Sequence, residues 1–415
     1  MRKVYTLGEN VPAKSAFRSS MPCTSILGII LGSAALFAAS CPSHAGDVTT
    51  LMSGNDTIGE YINGGLILSG STLYATAQQG GVNGDGTVFS LPIAGGSPTV
   101  LASFNVSDGS FPQGGLNLYD GTLYGATKLG GLNAEGNVFS LPITGGSPTN
   151  LASFQSGGYG GQNPGGVILA GNVLYGTTTF GGNYDEGEVF SVPIAGGSPS
   201  VLTSFGGGMS YPYPGLVSTG NSIYGTTSSG GEYGNGAAFS LPVTGGTPKL
   251  LASFGGYPNG GMTLSGSTLY GTTYSGGAFN YGEVFSLSLT NGRFNVLASF
   301  DKTDGANPVG GLTISGDTLY GAAAYGGASN DGTIFSLPIA GGMPTVLASF
   351  NFFDGQLPAA GLVLSGNTLY GTTYQGGAHN YGTVFSLPIP EPATLALLVL
   401  GGVTFLMRRN HRKRI

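Results

Sequence analysis

Short apolar runs separated by glycine-rich turns recur along most of the chain. In one copy, Gly361–Ser365 reads GLVLS, a Gly-Asn turn follows, and Thr368–Thr373 reads TLYGTT. Gly-Asn between two such runs is typical of a tight β-hairpin, because both residues tolerate positive φ. Thr383–Leu387 (TVFSL) predicts a third strand and Thr345–Phe350 (TVLASF) a fourth. No window between residues 46 and 388 keeps a 3.6-residue apolar period, so the pattern predicts antiparallel strands and almost no helix.

The same four-stranded unit is repeated seven times, at a period of roughly 50 residues. Its central tyrosine falls at Tyr74, Tyr124, Tyr175, Tyr224, Tyr270, Tyr320 and Tyr370. The last copy stops after its third strand, and Thr49–Ser53 supplies the missing fourth strand at the other end of the array. Pairing of this segment with residues 383–387 would close a ring and remove an open sheet edge. We therefore predict that residues 46–389 form an all-β, seven-bladed β-propeller of four-stranded blades, closed by the N-terminal strand.

Residues 1–45 are typical of a signal peptide. Four basic residues precede an apolar stretch at 25–40, which predicts a signal helix. Small residues in Ser43-His44-Ala45 occupy the positions that signal peptidase reads, so we expect cleavage between Ala45 and Gly46. The protein is therefore expected to be exported.

Two alternatives for this leader stay open. Translation from Met21 would forfeit all four basic residues, and lipoprotein processing at Cys41 would lack the usual leucine three positions earlier. Cys23 and Cys41 are the only cysteines of the chain. After cleavage the domain would contain no thiol, which excludes disulfides, thiolate metal sites and a cysteine nucleophile.

The C-terminal residues have three parts. Pro390-Glu391-Pro392 precedes an uncharged run from Ala393 to Met407, and five basic residues follow. This tail resembles the PEP-CTERM sorting signal of Gram-negative bacteria that make exopolysaccharide. The resemblance implies that an exosortase recognises Pro390, Glu391 and Pro392 and processes the segment 390–415.

The run from 393 to 407 predicts a short transmembrane helix, which the basic residues would hold with its tail in the cytoplasm. We therefore expect the protein at the cell envelope, at the surface or in the extracellular matrix of a Gram-negative bacterium. The C-terminal helix would anchor it there transiently or stably.

The repeated unit itself resembles a known tandem repeat. The pattern GGL-x-LSG-x-TLYGTT-x-x-GG-x-x-x-x-G-x-VFSL is similar to the GloVer repeat, found in proteins with interchangeable C-terminal anchors. Residues 361–387 are a close copy and residues 311–337 nearly so, whereas the copy at 201–251 departs at Ala237-Ala238-Phe239. The resemblance implies a repeat architecture and a surface location rather than an activity.

Charge excludes one class of partner. Residues 46–389 contain Lys128, Lys249, Arg293 and Lys302 against 17 acidic residues, a net charge near −13. Four scattered cations cannot neutralise a phosphate backbone, so we predict no nucleic-acid partner. His379 is the only histidine in this range, so a Ser–His–Asp triad would have to include it. We interpret it as an exposed loop residue without a catalytic role.

Carboxylates offer two interpretations. Asp108, Asp304 and Asp354 recur in D-G-x-x-P segments between one unit and the next. We favour a turn, in which Asp accepts local amides and Gly takes positive φ. The alternative is that these loops approach the central channel, where the carboxylates could bind Ca²⁺ or serve a lyase or glycosidase. The denser patch at 185–188 is interpreted as a solvated loop.

Loops that join second to third strands, and one unit to the next, share one face and vary in sequence. Tyrosine and asparagine there provide flat apolar area and adaptable hydrogen bonds suited to sugar rings. The candidate ligand-binding residues are Tyr184, Tyr233, Tyr274, Tyr281, Tyr325, Tyr374, Tyr381, Asn280 and Asn380. The alternative is that the tyrosines only pack over blade edges.

Three functions remain open from the sequence. We favour a non-enzymatic protein without a cofactor that binds glycan, exopolysaccharide or another matrix component. The second is an extracytoplasmic propeller enzyme of the lyase or glycoside hydrolase kind, which would use loop carboxylates. The third is a structural spacer. Expected partners are signal peptidase, an exosortase, the membrane through the C-terminal segment, and a polysaccharide.

Overall fold

The computed structural model describes residues 47–155 and 161–389 of the chain. Within these two ranges every regular element is a β-strand, as the missing 3.6-residue period predicts. None of the described residues forms a helix long and apolar enough to cross a membrane. The predicted signal peptide at 1–45, with its cleavage site, and the sorting segment at 390–415, with its predicted transmembrane helix, lie outside the described residues.

Seven antiparallel sheets follow one another along the chain, one for each repeat. The first strand of the described residues is β1 (Thr49–Ser53), whose partner comes from the last repeat. The first three blades comprise β2 (Ile67–Ser69), β3 (Thr72–Ala77), β4 (Thr87–Pro92) and β5 (Thr99–Ser103); β6 (Ser110–Tyr119), β7 (Thr122–Leu129), β8 (Asn137–Pro142) and β9 (Thr149–Ser153); and β10 (Gly161–Ala170), β11 (Val173–Gly181), β12 (Glu188–Pro193) and β13 (Ser200–Ser204).

The inner strand is split into two pieces in the fourth and seventh blades. The last four blades comprise β14 (Met209–Pro212), β15 (Val217–Ser218), β16 (Ser222–Gly230), β17 (Ala237–Pro242) and β18 (Lys249–Ser253); β19 (Thr263–Ser265), β20 (Thr268–Thr273), β21 (Glu283–Ser288) and β22 (Phe294–Ser299); β23 (Ala306–Ser315), β24 (Thr318–Tyr325), β25 (Thr333–Pro338) and β26 (Thr345–Ser349); and β27 (Gln356–Pro358), β28 (Val363–Ser365), β29 (Thr368–Gln375) and β30 (Thr383–Pro388).

The ring closes where the first strand pairs with the last. β1 runs antiparallel to β30, with Ser53 opposite Thr383. The amide of Gly54 donates to the carbonyl of Gly382 at 2.8 Å. The predicted closure by residues 49–53 is confirmed, and the all-β, seven-bladed propeller with it.

Pairs of phenylalanines hold neighbouring blades together. Phe300 follows the outer strand of blade 5 and meets Phe335 of blade 6 edge to face, with ring centroids 4.9 Å apart at 69°. Both rings are fully buried. Such a pair is worth about 0.5–1.5 kcal/mol beyond the area it buries. The equivalent pairs are Phe104–Phe139, Phe154–Phe190, Phe205–Phe239, Phe254–Phe285 and Phe350–Phe385.

The seam between blades 7 and 1 is packed by different side chains. Gly54 stands where the other copies have the first phenylalanine, and Met52 replaces the alanine found in most of them. Met52 and Ile62 share one buried apolar cluster with Phe89, and the partly buried Ile58 packs against it. The two ends of the propeller therefore meet through residues that the repeat pattern does not specify.

Connections alternate between two faces of the ring because the strands are antiparallel. We call the face with the second-to-third-strand loops and the blade-to-blade connections the loop face. There the Phe104 amide donates to the Gly86 carbonyl at 2.9 Å. The other face, the turn face, carries the short hairpins, and there the Gly146 amide donates to the Leu101 carbonyl at 3.0 Å. The predicted grouping of loops on a common face is confirmed.

The inner strands are longer than the apolar runs predict. β6 extends back through the Pro-Gln-Gly-Gly segment, pairs Ser110 with Leu129, and shifts register between Gln113 and Asn117. We assigned this segment to a loop, and for blades 2, 3 and 6 that assignment is wrong. Adjacent backbones converge at the ring axis: a Cβ on Gly114 would lie 2.4 Å from the Cα of Gly166. The Gly-Gly pair permits this approach.

Candidate functional site

A channel of about 660 Å³ runs between the inner strands and is lined by all seven blades. Backbone of the Gly-Gly pairs forms much of its wall, with the polar side chains of Asn63, Gln113, Tyr213 and Asn259. Of the described residues that line it, none is Asp, Glu, Lys, Arg or His. The channel wall therefore offers hydrogen bonds and apolar contact, and the predicted loop carboxylates do not reach it.

A repeated hydrogen bond joins the blades at the rim of the channel. The residue that precedes the inner-strand proline donates its amide to a carbonyl in the previous blade's loop. Phe111 donates to Asp85 at 2.9 Å, and Tyr211 donates to Glu186 at 2.7 Å. Phe111 and Tyr211 have φ of +55° and +56°, a left-handed conformation that is unusual for bulky residues. Its recurrence indicates that the inter-blade contact dictates the backbone, so the rim is a rigid platform.

Three tyrosines form a contiguous aromatic surface on the loop face at the seam of blades 7 and 1. The rings of Tyr61 and Tyr374 are stacked, with centroids 5.0 Å apart at 29°. Tyr381 meets Tyr61 edge to face at 6.2 Å. The Tyr61 amide donates to the Tyr381 carbonyl at 2.9 Å, which fixes the first ring relative to the last blade. All three side chains are half-buried. We call this set the seam tyrosines.

The seam tyrosines lie beside two carboxylates. Glu60 and Asp56 raise the pKa of Tyr381 by their negative charge. Burial, followed by the neighbouring Tyr61, raises the pKa of Tyr374. Both phenols are thus held neutral, as hydrogen-bond donors and apolar faces.

A second group of tyrosines lies in blades 5 and 6. Burial raises the pKa of Tyr274, and Tyr325 raises it further. The side-chain Nδ2 of Asn307 donates a hydrogen bond to the Tyr274 carbonyl at 2.8 Å, which ties the two blades together. Tyr281 and Tyr325 are both partly exposed. This group is less continuous than the seam tyrosines, since no ring pair among these residues approaches stacking distance.

The remaining two candidate tyrosines stand apart at loop tips. Tyr184 and Tyr233 are strongly exposed. In blade 1 the equivalent loop position is occupied by Asn83 instead of a tyrosine. Its side chain donates to the Phe104 carbonyl at the end of an outer strand. Tyr184 packs over Gly206, where a Cβ would lie 2.3 Å from its ring. For Tyr184 the arrangement matches packing over a blade edge.

Asn280 and Asn380 shape their own loops. Both have left-handed φ, +61° and +63°. The Oδ1 of Asn280 accepts the Gly276 amide at 3.0 Å, and the Oδ1 of Asn380 accepts the Gly376 amide at 2.9 Å. Their side-chain oxygens are therefore engaged in the loop, and a ligand would meet the amide nitrogen.

The three D-G aspartates sit in turns. Both carboxylate oxygens of Asp108 accept from Asn105 at 2.7 Å, one from its backbone and one from its side chain. Asp354 binds Asn351 in the same way, and Asp304 accepts a backbone amide of its own turn at 3.0 Å. This is the turn interpretation. The described residues include no group of three or more His, Cys, Asp or Glu side chains placed to hold a metal ion; the Ca²⁺ alternative stays a prediction.

Glu188 is not the solvated loop residue that we expected. It begins β12. At the equivalent position of two other blades, Thr333 and Thr383 donate to loop carbonyls. Glu188 is only 1% exposed, and the Ser204 hydroxyl donates to its Oε1 at 3.2 Å. Burial raises its pKa to about 7, although the hydrogen bond from Ser204 lowers it. Glu283 occupies the same position in blade 5 and is also buried, which raises its pKa.

Sequence reasoning missed Tyr61 and the polar channel residues. Tyr61 lies in the first blade-to-blade connection, where Ile62 replaces the proline of other copies. Without that proline, the segment is not recognised as a copy of the other connections. Asn63, Gln113 and Asn259 directly precede Gly-Gly pairs. The signal was present, because this position varies among copies while its flanks are proline and glycine in most of them, and it lies at the axis.

Two family patterns match the chain. Residues 35–179 and 163–385 match the family described as the Gloeobacter/Verrucomicrobia repeat. Residues 388–413 match the PEP-CTERM protein-sorting motif, which implies processing by an exosortase and export to the cell envelope or surface. No curated protein matches the sequence.

Solved structures align with the chain at low sequence identity. An oligogalacturonate lyase from Vibrio parahaemolyticus aligns with a TM-score of 0.54 and 11% identity, over 84% of this chain and 95% of that one. A structure of a nidogen–laminin complex aligns with a TM-score of 0.43 and 17% identity, over 65% of this chain and 89% of that one. The likeness to the lyase concerns the fold alone.

Proposed function

The chain belongs to the Gloeobacter/Verrucomicrobia repeat family and carries a PEP-CTERM sorting motif, and from that premise we propose that it binds polysaccharide. It acts as an exported, non-enzymatic propeller of the cell surface or extracellular matrix, and it presents its loop face to the ligand. The seam tyrosines are the observation that supports this function. Sugar rings pack their apolar faces on such rings, and the phenol hydroxyls donate to sugar oxygens.

The seam tyrosines are organised before a ligand arrives. Tyr61 is held by its backbone hydrogen bond to Tyr381 and by stacking on Tyr374. Immobilising a free side chain on binding costs about 0.5–1.5 kcal/mol. Because these rings are already half-buried against one another, most of that cost is met during folding. A rigid aromatic surface of this kind suits repeated sugar units.

Binding of the purified full chain to polysaccharides tests the proposal. We would measure co-sedimentation with insoluble polysaccharides and titration with soluble oligosaccharides, for the wild type and for Tyr61→Ala and Tyr374→Ala. Loss of a stacking ring is expected to weaken binding at least about tenfold, the equivalent of about 1.4 kcal/mol. Tyr119→Ala is the matched control, since Tyr119 is exposed near a hairpin of the turn face. Equal binding by Tyr61→Ala, Tyr374→Ala and Tyr119→Ala would contradict the proposal.

An extracytoplasmic enzyme is the second candidate, and buried Glu188 favours it. A carboxyl with a pKa of about 7 is suited to proton transfer at neutral pH. Its hydrogen-bond partner Ser204 lines a cavity of about 420 Å³ together with Phe205 and Met209. Release of new reducing ends or unsaturated sugars, lost in Glu188→Gln, would support this function over binding alone.

A further inference from the structure

Charge is distributed unequally between the two faces of the propeller. Of the 17 acidic residues between 46 and 389, 14 fall in loops or strand ends of the loop face, with Lys128 and Lys302 as the basic residues there. The turn face has Asp120, Asp317 and, ahead of β1, Asp47, against Lys249 and Arg293. The loop-face acids are Asp56, Glu60, Asp85, Asp108, Glu135, Asp185, Glu186, Glu188, Glu232, Glu283, Asp301, Asp304, Asp331 and Asp354, of which Glu188 and Glu283 are buried.

Loop-face carboxylates lie close enough to repel one another. Burial raises the pKa of Asp85, and the charge of Asp108 in the next connection raises it further. Burial likewise raises the pKa of Glu60, and the charge of Asp56 raises it further. The folded protein therefore holds negative charges close together on one face without neutralising them.

The side chains beside the seam tyrosines include hydrogen-bond acceptors. Glu60 and Asp56 act on Tyr381, as described above, and Glu60 directly precedes Tyr61 in the chain. A ligand seated here would meet aromatic faces and acceptors, and it would have to bring the donors and the positive charge.

We propose that the polysaccharide bound at the seam tyrosines is a cationic amino-sugar polymer, whose free ammonium groups pair with Glu60 and Asp56. This rests on the proposed function, since it presumes that the ligand is a polysaccharide. Each residue of a glucosamine polymer offers a flat face to a tyrosine and an ammonium to a carboxylate. An ammonium near tyrosine faces gains a further cation–π attraction. An acidic polymer would be repelled by the same face.

Two matched polymers test this inference. The full chain would be titrated with β-linked glucosamine oligomers and with N-acetylglucosamine oligomers of equal length, at about pH 5.5, above the ordinary carboxyl pKa range. We expect the glucosamine oligomer to bind at least about tenfold more tightly at low salt. This preference should decline as ionic strength rises from about 0.05 M to about 0.5 M, because exposed charges are screened.

Variants separate charge from stacking. Glu60→Gln with Asp56→Asn should abolish the preference for the amine, so that this variant binds the two oligomers with equal affinity. Tyr374→Ala should weaken binding of both oligomers, and Asp317→Asn on the turn face should change neither.

The outcomes distinguish two failures. If neither oligomer nor any other polysaccharide binds, the proposed function fails. If the N-acetylated oligomer or an acidic polysaccharide binds as tightly as the glucosamine oligomer, this inference alone fails. If an arginine-rich peptide binds more tightly than the glucosamine oligomer and depends on Glu60, the partner is a basic protein and the amino-sugar assignment is overturned.

Discussion

Met52→Ala removes the side chain that fills the seam between the last blade and the first. Met52 lies in β1 and is 6% exposed. It packs in one cluster with Leu73 and Phe89 of blade 1 and with Tyr370 and Val384 of blade 7. Most other blades have alanine here, but they also have a phenylalanine two positions later. The closing strand has glycine there, so Met52 is the bulky buried side chain that this strand contributes to the seam.

The expected loss follows from burial. Truncating a buried methionine to alanine costs about 2–5 kcal/mol, through lost transfer free energy and the cavity that remains. The glycine at position 54 adds no side chain that could fill the space. We therefore expect a decrease in the free energy of unfolding of about 3–4 kcal/mol, in the upper half of that range.

Urea unfolding of the full chain, followed by circular dichroism, measures this loss. Met343→Ala is the matched control, because Met343 is 84% exposed in a hairpin of the turn face. Its effect should stay within about 0.5 kcal/mol. If Met52→Ala is equally mild, then Met52 is exposed in solution, and the pairing of β1 with β30 is refuted.

Three further changes test the packing and the buried charge. Phe335→Ala should cost about 3–5 kcal/mol, since it creates a cavity and removes the edge-to-face contact with Phe300. Gly321→Ala should cost about 1–3 kcal/mol, because a Cβ there would lie 2.5 Å from the Cζ of Phe335. Glu188→Gln should alter pH dependence. Burial raises the folded pKa of Glu188 from 4.5 to about 7, so its contribution to stability is present below the unfolded pKa and is lost as pH rises through about 7. Relative to Glu188→Gln, the wild type should therefore lose about 1–3 kcal/mol between about pH 5 and about pH 8.

Each of these has a distinguishing control. The cost of Gly321→Ala should shrink in a Phe335→Leu background, where the clashing ring is absent, and additive costs would argue against the clash. Phe335→Leu alone should cost less than Phe335→Ala, since it keeps most of the buried volume. For the pH effect, Glu232→Gln changes an exposed loop carboxylate. Parallel pH curves for the wild type and Glu188→Gln would contradict the buried-acid explanation.

The ring could be predicted from the sequence because its signals are local and repeated. Gly-Asn and Gly-Ser turns fix hairpins, and the offset of residues 49–53 against the incomplete last copy fixes the closure. The extension of β6 and its counterparts was not predicted. Its cause is the distance between blades at the axis, where Gly114 approaches Gly166, and no local pattern encodes that distance.

The candidate site was only partly predicted, because contacts between distant residues decide it. Tyr374 and Tyr381 were recognised as loop tyrosines, whereas Tyr61 was not, since it is more than 300 residues away in sequence. Tyr184 looked equivalent and lies apart at a loop tip. Glu188 looked solvated beside Asp185, yet the strand that it begins turns its side chain into the blade.

Ring closure and the proposed binding surface lie in one place, at the seam. Tyr61 belongs to the first blade, while Tyr374 and Tyr381 belong to the last, and a backbone hydrogen bond between Tyr61 and Tyr381 connects them. The seam tyrosines therefore come together only in a closed ring. A ligand that contacts both sides of the seam would stabilise the closure by mass action. In the other blade interfaces, phenylalanine pairs provide cohesion from within the repeat. At the seam, Met52 packs the interior, and a ligand across the tyrosines would add cohesion from the surface.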